Sequence, residues 1–442
     1  MSRMERMRIR PAKRLVGEIE LPGDKSISHR SAILGAMATG ATRIENFSDA
    51  ADCRTTLRCL EQLGVKVERD QRDVVIHGVG KTGFRASERP IDCGNSGTTA
   101  RTLAGLLAGQ GFDSVLTGDA SLTARPMERV IDPLCRMGAK IDSPNGRLPM
   151  TICGGQRLRG MEHDMTVASA QVKSCLLIAG LLADGTTKIV EPVPTRDHTE
   201  RMLRWFGAEV SATQAGEARV ISVTPVAELT ARDIIIPADI SSAAYFMAAA
   251  ALLPGSNVSI TGVGLNPLRN GIIDVLRDAG AELRVVNVGE LCNEPVGTVR
   301  VTAMLDQGNS SETVRLSGAV IPVIIDELPI LAVFGTGLRG GIEVRGATEL
   351  RAKETDRISA VVQNLRRMGA EVEEFDDGFR VSRSMLRGAS IDSFGDHRIA
   401  MAFSVAALIA TGETEIGGSE CVDISFPGFF DVLERSVERI DG

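Results

Sequence analysis

The segment QLGVKV at residues 62–67 returns in closely similar form along this 442-residue chain. The other copies are RMGAKI at 136–141, WFGAEV at 205–210, DAGAEL at 278–283 and RMGAEV at 367–372. Each copy follows an amphipathic run, and its glycine suits the position just after a helix, where a positive φ is tolerated. A sixth such helix is predicted from Gly428 to Ile440. The recurrence every 69 to 89 residues predicts six related units.

A second series of Ala- and Leu-rich segments lies out of phase with the first. Its six members end at glycines: 29–40, 97–109, 169–185, 241–255, 326–337 and 396–412. They are apolar nearly all round, which is typical of helices buried inside a domain. Each unit is therefore predicted to be strand, buried helix, strand, amphipathic helix, strands. The predicted fold class is α/β, with three units on each side of a crossover near Pro237.

Composition excludes several classes of function. Lys and Arg number 50 against 57 Asp and Glu, which gives a net charge of −7, and aromatic residues make up 3% of the chain. Neither a basic field nor a stacking platform for nucleic acid is expected. The longest apolar runs fall well short of the ~20 residues that a membrane span needs. We therefore expect no nucleic-acid partner and no membrane insertion.

The 8 cysteines form no CxxC pair and no Cys/His cluster. This pattern argues against a zinc site and for a reducing compartment. The basic N-terminal residues are followed by strand-like sequence rather than by the apolar region of a signal peptide. We expect a cytoplasmic protein, and a monomer.

Charged and polar residues gather at the N-terminal ends of the predicted buried helices. Arg30, Arg101, Gln171 and Arg398 lie there on four of them. A helix N-terminus favours anions, because it carries unsatisfied N–H groups and a partial positive charge. For any one helix, ordinary N-capping explains the Ser, Thr and Asp residues better. Four such helices in an acidic protein indicate a cleft for small polyanions.

Two small-residue turns enter buried helices. PGDKSISHR (22–30) places Lys25, Ser26 and Arg30 on a Gly-led turn that suits a phosphate or carboxylate, without the GxxxxGK[ST] spacing of a P-loop. CGNSGTTAR (93–101) is a turn that a ligand can approach closely. Both turns are candidate anion sites.

The segment ELRAKETDR (349–357) is open to two interpretations. If it is helical, Lys353 and Arg357 lie on one helix face, with Glu354 beside them. A solvated helix face with salt bridges explains the same pattern about equally well.

These motifs occur in an order that resembles one enzyme family. The motifs are PGDKSISHR, GNSGTTAR, ARPM, SAQVKS, RAKETDR, GDHRIAM and SFPGFF. Together, over nearly the whole chain, they resemble the 5-enolpyruvylshikimate-3-phosphate synthases, and SAQVKS and TRDHTE are similar to the bacterial branch often called class II.

The resemblance implies two domains, each of three βαβαββ units whose buried helices point at an interdomain cleft. The N-terminal strand, which by itself could pair with either half, is then expected to join the C-terminal half. The implied domains are 1–22 plus 238–442, and 23–237.

The resemblance also implies the reaction. The enolpyruvyl group of phosphoenolpyruvate moves to the 5-hydroxyl of shikimate 3-phosphate and phosphate is released, with no metal and no organic cofactor. By motif, shikimate 3-phosphate is expected to contact Lys25, Ser26, Arg30, Ser169, Gln171, Arg196, Asp326 and Lys353. Phosphoenolpyruvate is expected to contact Lys25, Gly97, Arg125, Gln171, Arg357 and Arg398. Arg101 is expected to stabilise either the loop that carries Gly97 or the bound substrates.

Two proton movements accompany the addition, because the 5-hydroxyl loses a proton while C3 of phosphoenolpyruvate gains one. A C3 proton then leaves with phosphate in the elimination. One carboxylate on each face of the reacting carbon would be able to carry out these proton transfers. Asp326 is the candidate base for the hydroxyl and Glu354 the candidate for exchange at C3. Lys25 is able to share either role.

Two positions bear on how closely the chain follows the family. Ile424 stands where some relatives carry a lysine, so that cation is missing or replaced. Gly97 stands where some glyphosate-insensitive class II relatives carry alanine, so we expect sensitivity to glyphosate.

Two alternatives from the sequence are weaker. The sister enolpyruvyl transferases that act on UDP-N-acetylglucosamine typically carry a reactive cysteine where this chain has Ala120, begin PGAKN and lack KETDR. A non-catalytic binder on the same fold is expected to have lost carboxylates or arginines that are all present here.

Overall fold

The six apolar segments form helices that are buried on nearly every side. The computed structural model describes residues 6–216, 218–304 and 311–439. The buried helices span Lys25–Met37, Gly97–Leu107, Ala170–Gly180, Ile240–Leu252, Leu328–Gly335 and His397–Ile409. In the fourth, every residue from Ile240 to Ala251 is buried, as its unbroken run of apolar residues predicts.

Six amphipathic helices alternate with the buried ones. They span Ala51–Gln62, Glu128–Arg136, His198–Trp205, Gly271–Asp278, Arg357–Arg367 and Phe429–Ser436. The first five end at the repeated glycines, whose φ values lie between +83° and +109°. At Gly64, for example, the Val65 N–H donates to the Leu60 carbonyl oxygen, which satisfies a carbonyl at the helix end. The prediction of glycine-terminated helices is confirmed.

The chain folds as two units, each with a hydrophobic core of its own. The N-terminal unit comprises Gly23–Pro237 and Glu290–Glu294. The C-terminal unit comprises Met1–Pro22, Ala238–Gly289 and Pro295–Gly442. Each unit contains three of the buried helices and three small sheets, so the α/β class expected from the repeats is confirmed.

The sheets share one strand order. In the N-terminal unit, the first sheet contains Leu229–Thr230, Ile234–Ile235, Ala38–Glu45, Asp73–Val79 and Lys66–Asp70. The second sheet contains Ile91–Asp92, Ser114–Thr117, Met150–Cys153 and Lys140–Asp142. The third sheet contains Glu162–Asp164, Thr187–Glu191, Ala218–Thr224 and Glu209–Ala215. In the second and third, the strands on either side of the buried helix pair in parallel, and the remaining pairs are antiparallel.

The C-terminal unit repeats this plan in its first two sheets, the first with one added strand, whereas its third sheet has three strands. Its first sheet contains Glu282–Leu291, Glu294–Thr302, Asn257–Gly264, Ala12–Ile19 and Val437–Arg439. Its second sheet contains Val314–Leu316, Ile342–Val344, Gly378–Val381 and Val372–Phe375. Its third sheet contains Arg6–Ile9, Thr414–Gly417 and Ser390–Asp392. Shorter helical pieces span Ala120–Thr123, Pro144–Gly146, Gly318–Val320, Ile321–Ile324, Thr348–Ala352 and Ser419–Ile424.

Two strand positions are filled from distant parts of the chain. Ala12–Ile19 pairs in parallel with Asn257–Gly264, in the place of the strand that precedes the fourth buried helix. The equivalent place beside Ala38–Glu45 is taken by Leu229–Thr230 and Ile234–Ile235. The N-terminal strands therefore pair within the C-terminal unit.

The last predicted helix is shorter than expected. It begins at Phe429 and ends at Ser436, and Val437–Arg439 continues as a strand antiparallel to Ala12–Ile19. Because the N-terminal strand leaves an edge free, the C-terminal residues gain backbone hydrogen bonds there. Ile440 and Gly442 lie outside the described residues.

In residues 6–216, 218–304 and 311–439, no single helix is long and apolar enough to cross a membrane. By length and composition alone, one bent pair passes that test: Gly318–Ile324 with Leu328–Gly335, at 108° to each other.

Candidate active site

Gly97 lies at the centre of a cluster of cationic and amide groups in the N-terminal unit. It is the first residue of the second buried helix, which Ser96 caps by accepting the Thr99 N–H. A Cβ built on Gly97 would lie 3.2 Å from Arg101 Nη1 and 3.4 Å from Arg125 Nη1. The two guanidinium groups therefore reach the N–H groups at this helix end, an arrangement that suits an anion.

Gln171 joins this cluster from the neighbouring buried helix. Arg101 donates from Nη1 to Gln171 Oε1, and Gln171 Nε2 donates to Thr98 Oγ1 at 3.0 Å. Arg125 is held by Asn95, whose Oδ1 accepts from Nη2 at 2.7 Å. Arg101 also donates to the Pro126 carbonyl, so it ties the turn that carries Arg125 to the helix. The predicted residues Gly97, Arg125 and Gln171 thus lie together.

Arg30 is buried and held by three partners. Its Nε donates to Thr199 Oγ1 at 2.7 Å, its Nη2 to Ser174 Oγ at 2.8 Å and its Nη1 to the Ser26 carbonyl at 2.8 Å. These bonds join the first buried helix to the third and fix the direction of the guanidinium plane. Lys25, at the start of the same helix, is 3.1 Å from Asp52.

Ser169 and Arg196, the two predicted phosphate contacts, lie at a helix N-terminus and in a loop. Ser169 is the N-cap of the third buried helix, and its hydroxyl accepts the Val172 N–H at 3.4 Å. The capping explanation therefore holds for Ser169, although a hydroxyl that accepts is still able to donate its own proton. Arg196 lies in the loop between Thr187–Glu191 and the helix His198–Trp205.

A buried hydroxyl chain ties the first two buried helices together. His29 Nδ1 lies 2.7 Å from Thr56 Oγ1, Thr56 is 2.6 Å from Thr99 Oγ1, and Thr99 donates to Ser96 Oγ. Burial, assisted by the charges of Lys25 and Arg30, lowers the pKa of His29 well below its ordinary 6.5. The folded protein therefore contains neutral His29 at neutral pH.

This shift predicts a pH dependence of stability. Below pH 6.5 the unfolded chain binds a proton at His29 and the folded chain does not, so stability falls with pH toward the folded pKa. The slope from this group approaches about 1.4 kcal/mol per pH unit. We expect the His29→Asn variant to show a shallower loss between pH 6.5 and 5 in urea unfolding. Identical slopes for both proteins would contradict the assignment.

In the C-terminal unit, Asp326 is surrounded by cations. Its carboxylate oxygens lie 3.5 Å from Arg357 Nη1, 3.6 Å from Arg398 Nη2 and 3.8 Å from Lys353 Nζ. The residue is at the bend between the helix Ile321–Ile324 and the fifth buried helix. Lys353, Arg357 and Arg398 therefore converge on this one side chain.

Arg357 connects Asp326 to two further carboxylates. Its Nε donates to Asp396 at 2.8 Å and its Nη2 to Glu354 at 2.5 Å. The side chain is 1% exposed. Burial works against the positive charge, but Asp396 and Glu354 outweigh it and raise the pKa of Arg357.

Arg398 is the first-turn arginine of the sixth buried helix. Its Nη1 donates to the Asp326 carbonyl at 3.0 Å and lies 3.9 Å from Glu327. Asp326 in particular raises the pKa of Arg398, against the effect of burial. All five predicted residues of this unit, Asp326, Lys353, Glu354, Arg357 and Arg398, therefore form one connected set.

The helical interpretation of ELRAKETDR is wrong. Thr348–Ala352 is a short 3₁₀ turn, and the α-helix begins only at Arg357, with Asp356 as its N-cap. Lys353 and Arg357 are therefore not on one helix face, and instead both approach Asp326.

Sequence reasoning missed Asp52 and Asp396 as site residues. The turn IDSFGDH at 391–397 repeats IDCGNSG at 91–97, and in each the aspartate accepts the N–H two residues on at 2.8 Å. Phe394 even adopts the same φ of +53° as Gly94. In this repeat Asp396, which caps its helix, occupies the position equivalent to the capping Ser96, and the likeness is the sequence signal that points to it.

Ile424 is partly buried and packs against the core of the C-terminal unit. This position therefore provides no cation. Among the described residues, no group of three or more His, Cys, Asp or Glu is arranged to hold a metal ion.

The repeated α/β units with cations at their helix ends are an arrangement typical of proteins that bind small polyanions. The chain matches the family model described as EPSP synthase (3-phosphoshikimate 1-carboxyvinyltransferase) over residues 9–433. It is 49% identical over 438 residues to the 3-phosphoshikimate 1-carboxyvinyltransferase of Koribacter versatilis, covering 99% of this chain and 100% of that protein. The Bacillus subtilis protein of the same name is 44% identical over 425 residues, covering 95% and 97%.

A solved structure gives the same result. The EPSP synthase from Acinetobacter baumannii aligns with a TM-score of 0.86 and 41% identity, covering 99% of each chain. The chain belongs to the EPSP synthase (3-phosphoshikimate 1-carboxyvinyltransferase) family.

Proposed function

We propose that this chain transfers the enolpyruvyl group of phosphoenolpyruvate to the 5-hydroxyl of shikimate 3-phosphate and releases phosphate. The observation that carries the proposal is the set around Asp326, in which three cations are connected by ion pairs to Asp326, Glu354 and Asp396. Such a set provides proton acceptors beside groups that bind phosphate and carboxylate. The membership of the family and this chemistry point to the same reaction.

The shikimate 3-phosphate contacts are proposed from both units. They are Lys25, Ser26, Arg30, Ser169, Gln171, Arg196, Asp326 and Lys353. Arg30 supports the assignment, because three internal bonds fix the direction of its guanidinium group. A preorganised cation of this kind binds without a further loss of side-chain entropy.

The phosphoenolpyruvate contacts are proposed to be Lys25, Gly97, Arg125, Gln171, Arg357 and Arg398. Phosphoenolpyruvate carries a phosphate and a carboxylate, and a planar guanidinium group forms bidentate hydrogen bonds with either of them. The close approach of Arg125 to the Gly97 helix end supports this assignment in the N-terminal unit.

In the proposed mechanism, the substrate oxygen forms a bond to C2 while C3 gains a proton and becomes a methyl group. The tetrahedral intermediate then loses phosphate from C2 and a proton from C3, which restores the double bond. Asp326 is proposed to accept the hydroxyl proton, and Glu354 to exchange protons at C3. Lys25 is able to share either transfer, and the arginines stabilise negative charge during both steps.

Several broader features are also proposed. All eight cysteines are free, which supports a reducing compartment, and we propose the cytoplasm. We propose that the protein acts as a monomer, with domains 23–237 and 1–22 plus 238–442, except that Glu290–Glu294 groups with the N-terminal unit. The net charge of −7 supports small-molecule rather than nucleic-acid partners.

The test is phosphate release from phosphoenolpyruvate with each of two acceptors. We expect release with shikimate 3-phosphate and none with UDP-N-acetylglucosamine. Release only with the latter would move the chain to the sister activity, and no release with either would leave a binding protein.

The space at Gly97 predicts the effect of a methyl group. In Gly97→Ala, the Cβ would press on the ends of the Arg101 and Arg125 side chains, which yield by a few tenths of an ångström. We expect the fold to be retained, the KM for phosphoenolpyruvate to rise about threefold to tenfold, and the Ki for glyphosate to rise more. Steady-state kinetics with glyphosate check this, and equal losses for substrate and inhibitor would contradict it.

A further inference from the structure

Lys173 places a buried ammonium group between two buried carboxylates of the N-terminal unit. Its Nζ lies 3.1 Å from Glu191 Oε1 and 2.8 Å from Glu200 Oε1, and all three side chains are at most 1% exposed. Burying charges costs several kcal/mol per ion unless the geometry compensates. None of these three residues belongs to the proposed substrate contacts.

The cluster also fixes a loop. Lys173 Nζ donates to the Thr195 carbonyl at 3.0 Å, and the Thr195 hydroxyl donates to Glu191. The residue that follows Thr195 is Arg196, the proposed phosphate contact. The loop that presents Arg196 is thus held at the preceding residue by both its backbone and its side chain.

The same cluster holds the two helices that clamp Arg30. Ser174 follows Lys173 on the third buried helix, and Thr199 precedes Glu200 on the amphipathic helix. Ser174 and Thr199 are 2.7 Å apart through their hydroxyl oxygens, and both accept from the Arg30 guanidinium. The Lys173–Glu200 pair and the Ser174–Thr199 pair are therefore adjacent contacts across one helix interface.

We propose that Lys173 is a positioning residue for the phosphorylated acceptor: through Glu191 and Glu200 it fixes the loop of Arg196 and the clamp of Arg30. The inference rests on the proposed function. It predicts that the cluster sets the affinity for shikimate 3-phosphate rather than the rate of the chemical step.

The test replaces the whole cluster by apolar residues of similar length, in the triple variant Lys173→Met, Glu191→Met, Glu200→Met. Removing all three charges together avoids an unpaired buried charge, so the fold is expected to survive. We expect the KM for shikimate 3-phosphate to rise at least about tenfold, while kcat and the KM for phosphoenolpyruvate stay within about threefold.

A milder variant covers the case in which the triple variant does not fold. Thr195→Val keeps the side-chain shape and removes the bond to Glu191, and the same KM is expected to rise by about threefold or more. Gln110→Leu is the matched control. Gln110 is buried in the same unit and bonds the Lys81 and Leu106 carbonyls at the far end of the second buried helix. Its loss should lower stability and leave both KM values unchanged.

The outcomes separate the two claims. If the wild-type protein releases no phosphate with shikimate 3-phosphate, the proposed function fails. If it does, and both variants have the wild-type KM for this substrate, the positioning role is overturned. An equal rise in the KM of both substrates would also overturn it, because that result would show general distortion.

Discussion

Asp326→Asn is expected to lower kcat by about two to four orders of magnitude, the contribution typical of a positioned general base. Asparagine has nearly the same shape but accepts no proton. It also leaves Arg357, Arg398 and Lys353 without the negative charge that lies 3.5–3.8 Å from them. The measurement is kcat at saturating concentrations of both substrates, with circular dichroism to verify the fold.

Asp356→Asn is the matched control for this change. Asp356 is an acidic residue of the same unit that caps the helix beginning at Arg357, and asparagine is an equally good N-cap. We expect its kcat to stay within about threefold of the wild type. Near-normal turnover of Asp326→Asn would remove Asp326 from the proposed proton transfer.

Arg357→Gln is expected to damage both stability and catalysis. The wild-type guanidinium bonds Asp396 and Glu354, so its loss leaves two carboxylates without their buried cation. Breaking a buried pair in this way costs about 3–5 kcal/mol of stability. The variant also loses its charge pair with the bound substrate. Losing one partner of a buried charge pair costs about 2–5 kcal/mol of binding free energy, which corresponds to a fall in kcat/KM of roughly thirtyfold to several thousandfold.

Arg357→Lys separates charge from geometry. Lysine keeps the positive charge but cannot reach Asp396 and Glu354 with one planar group. We therefore expect two values of Arg357→Lys to lie between those of the wild type and Arg357→Gln. They are the free energy of unfolding in urea and kcat/KM for phosphoenolpyruvate. If lysine restored both values fully, the two-point geometry would be irrelevant.

The parts of the fold that depend on local sequence were predictable. Gly64 and its four counterparts end helices because a left-handed residue is needed at that point, and glycine adopts it at little cost. The run from Ile240 to Ala251 had to be buried because it has no polar face. Such signals are contained within a few residues.

Long-range features were less accessible. The C-terminal strand Val437–Arg439 exists because Ala12–Ile19 presents an edge, and nothing in its own sequence indicates that partner. The non-helical backbone between Ala352 and Arg357 likewise allows both Lys353 and Arg357 to approach Asp326. An i, i+4 spacing alone cannot reveal such a contact.

The candidate site was found mainly through motifs, and its connections only through the structure. The chemistry of a carboxylate makes Glu354 and Asp326 candidates from sequence alone, but only the structure reveals that both contact Arg357. Lys173 belongs to the same motif as Ser169 and Gln171, but the motif does not indicate its role. That role depends on contacts with Glu191 and Glu200, which are distant in sequence.

The central claim is best tested by ¹H and ³¹P nuclear magnetic resonance of the reaction in D₂O. With phosphoenolpyruvate and shikimate 3-phosphate, the proposed mechanism predicts one phosphate for each enolpyruvyl ether formed, with deuterium in the C3 methylene group. Deuterium enters there because C3 passes through a methyl group before it loses a proton. Formation of pyruvate and phosphate without the ether, or an ether free of deuterium, would contradict the account.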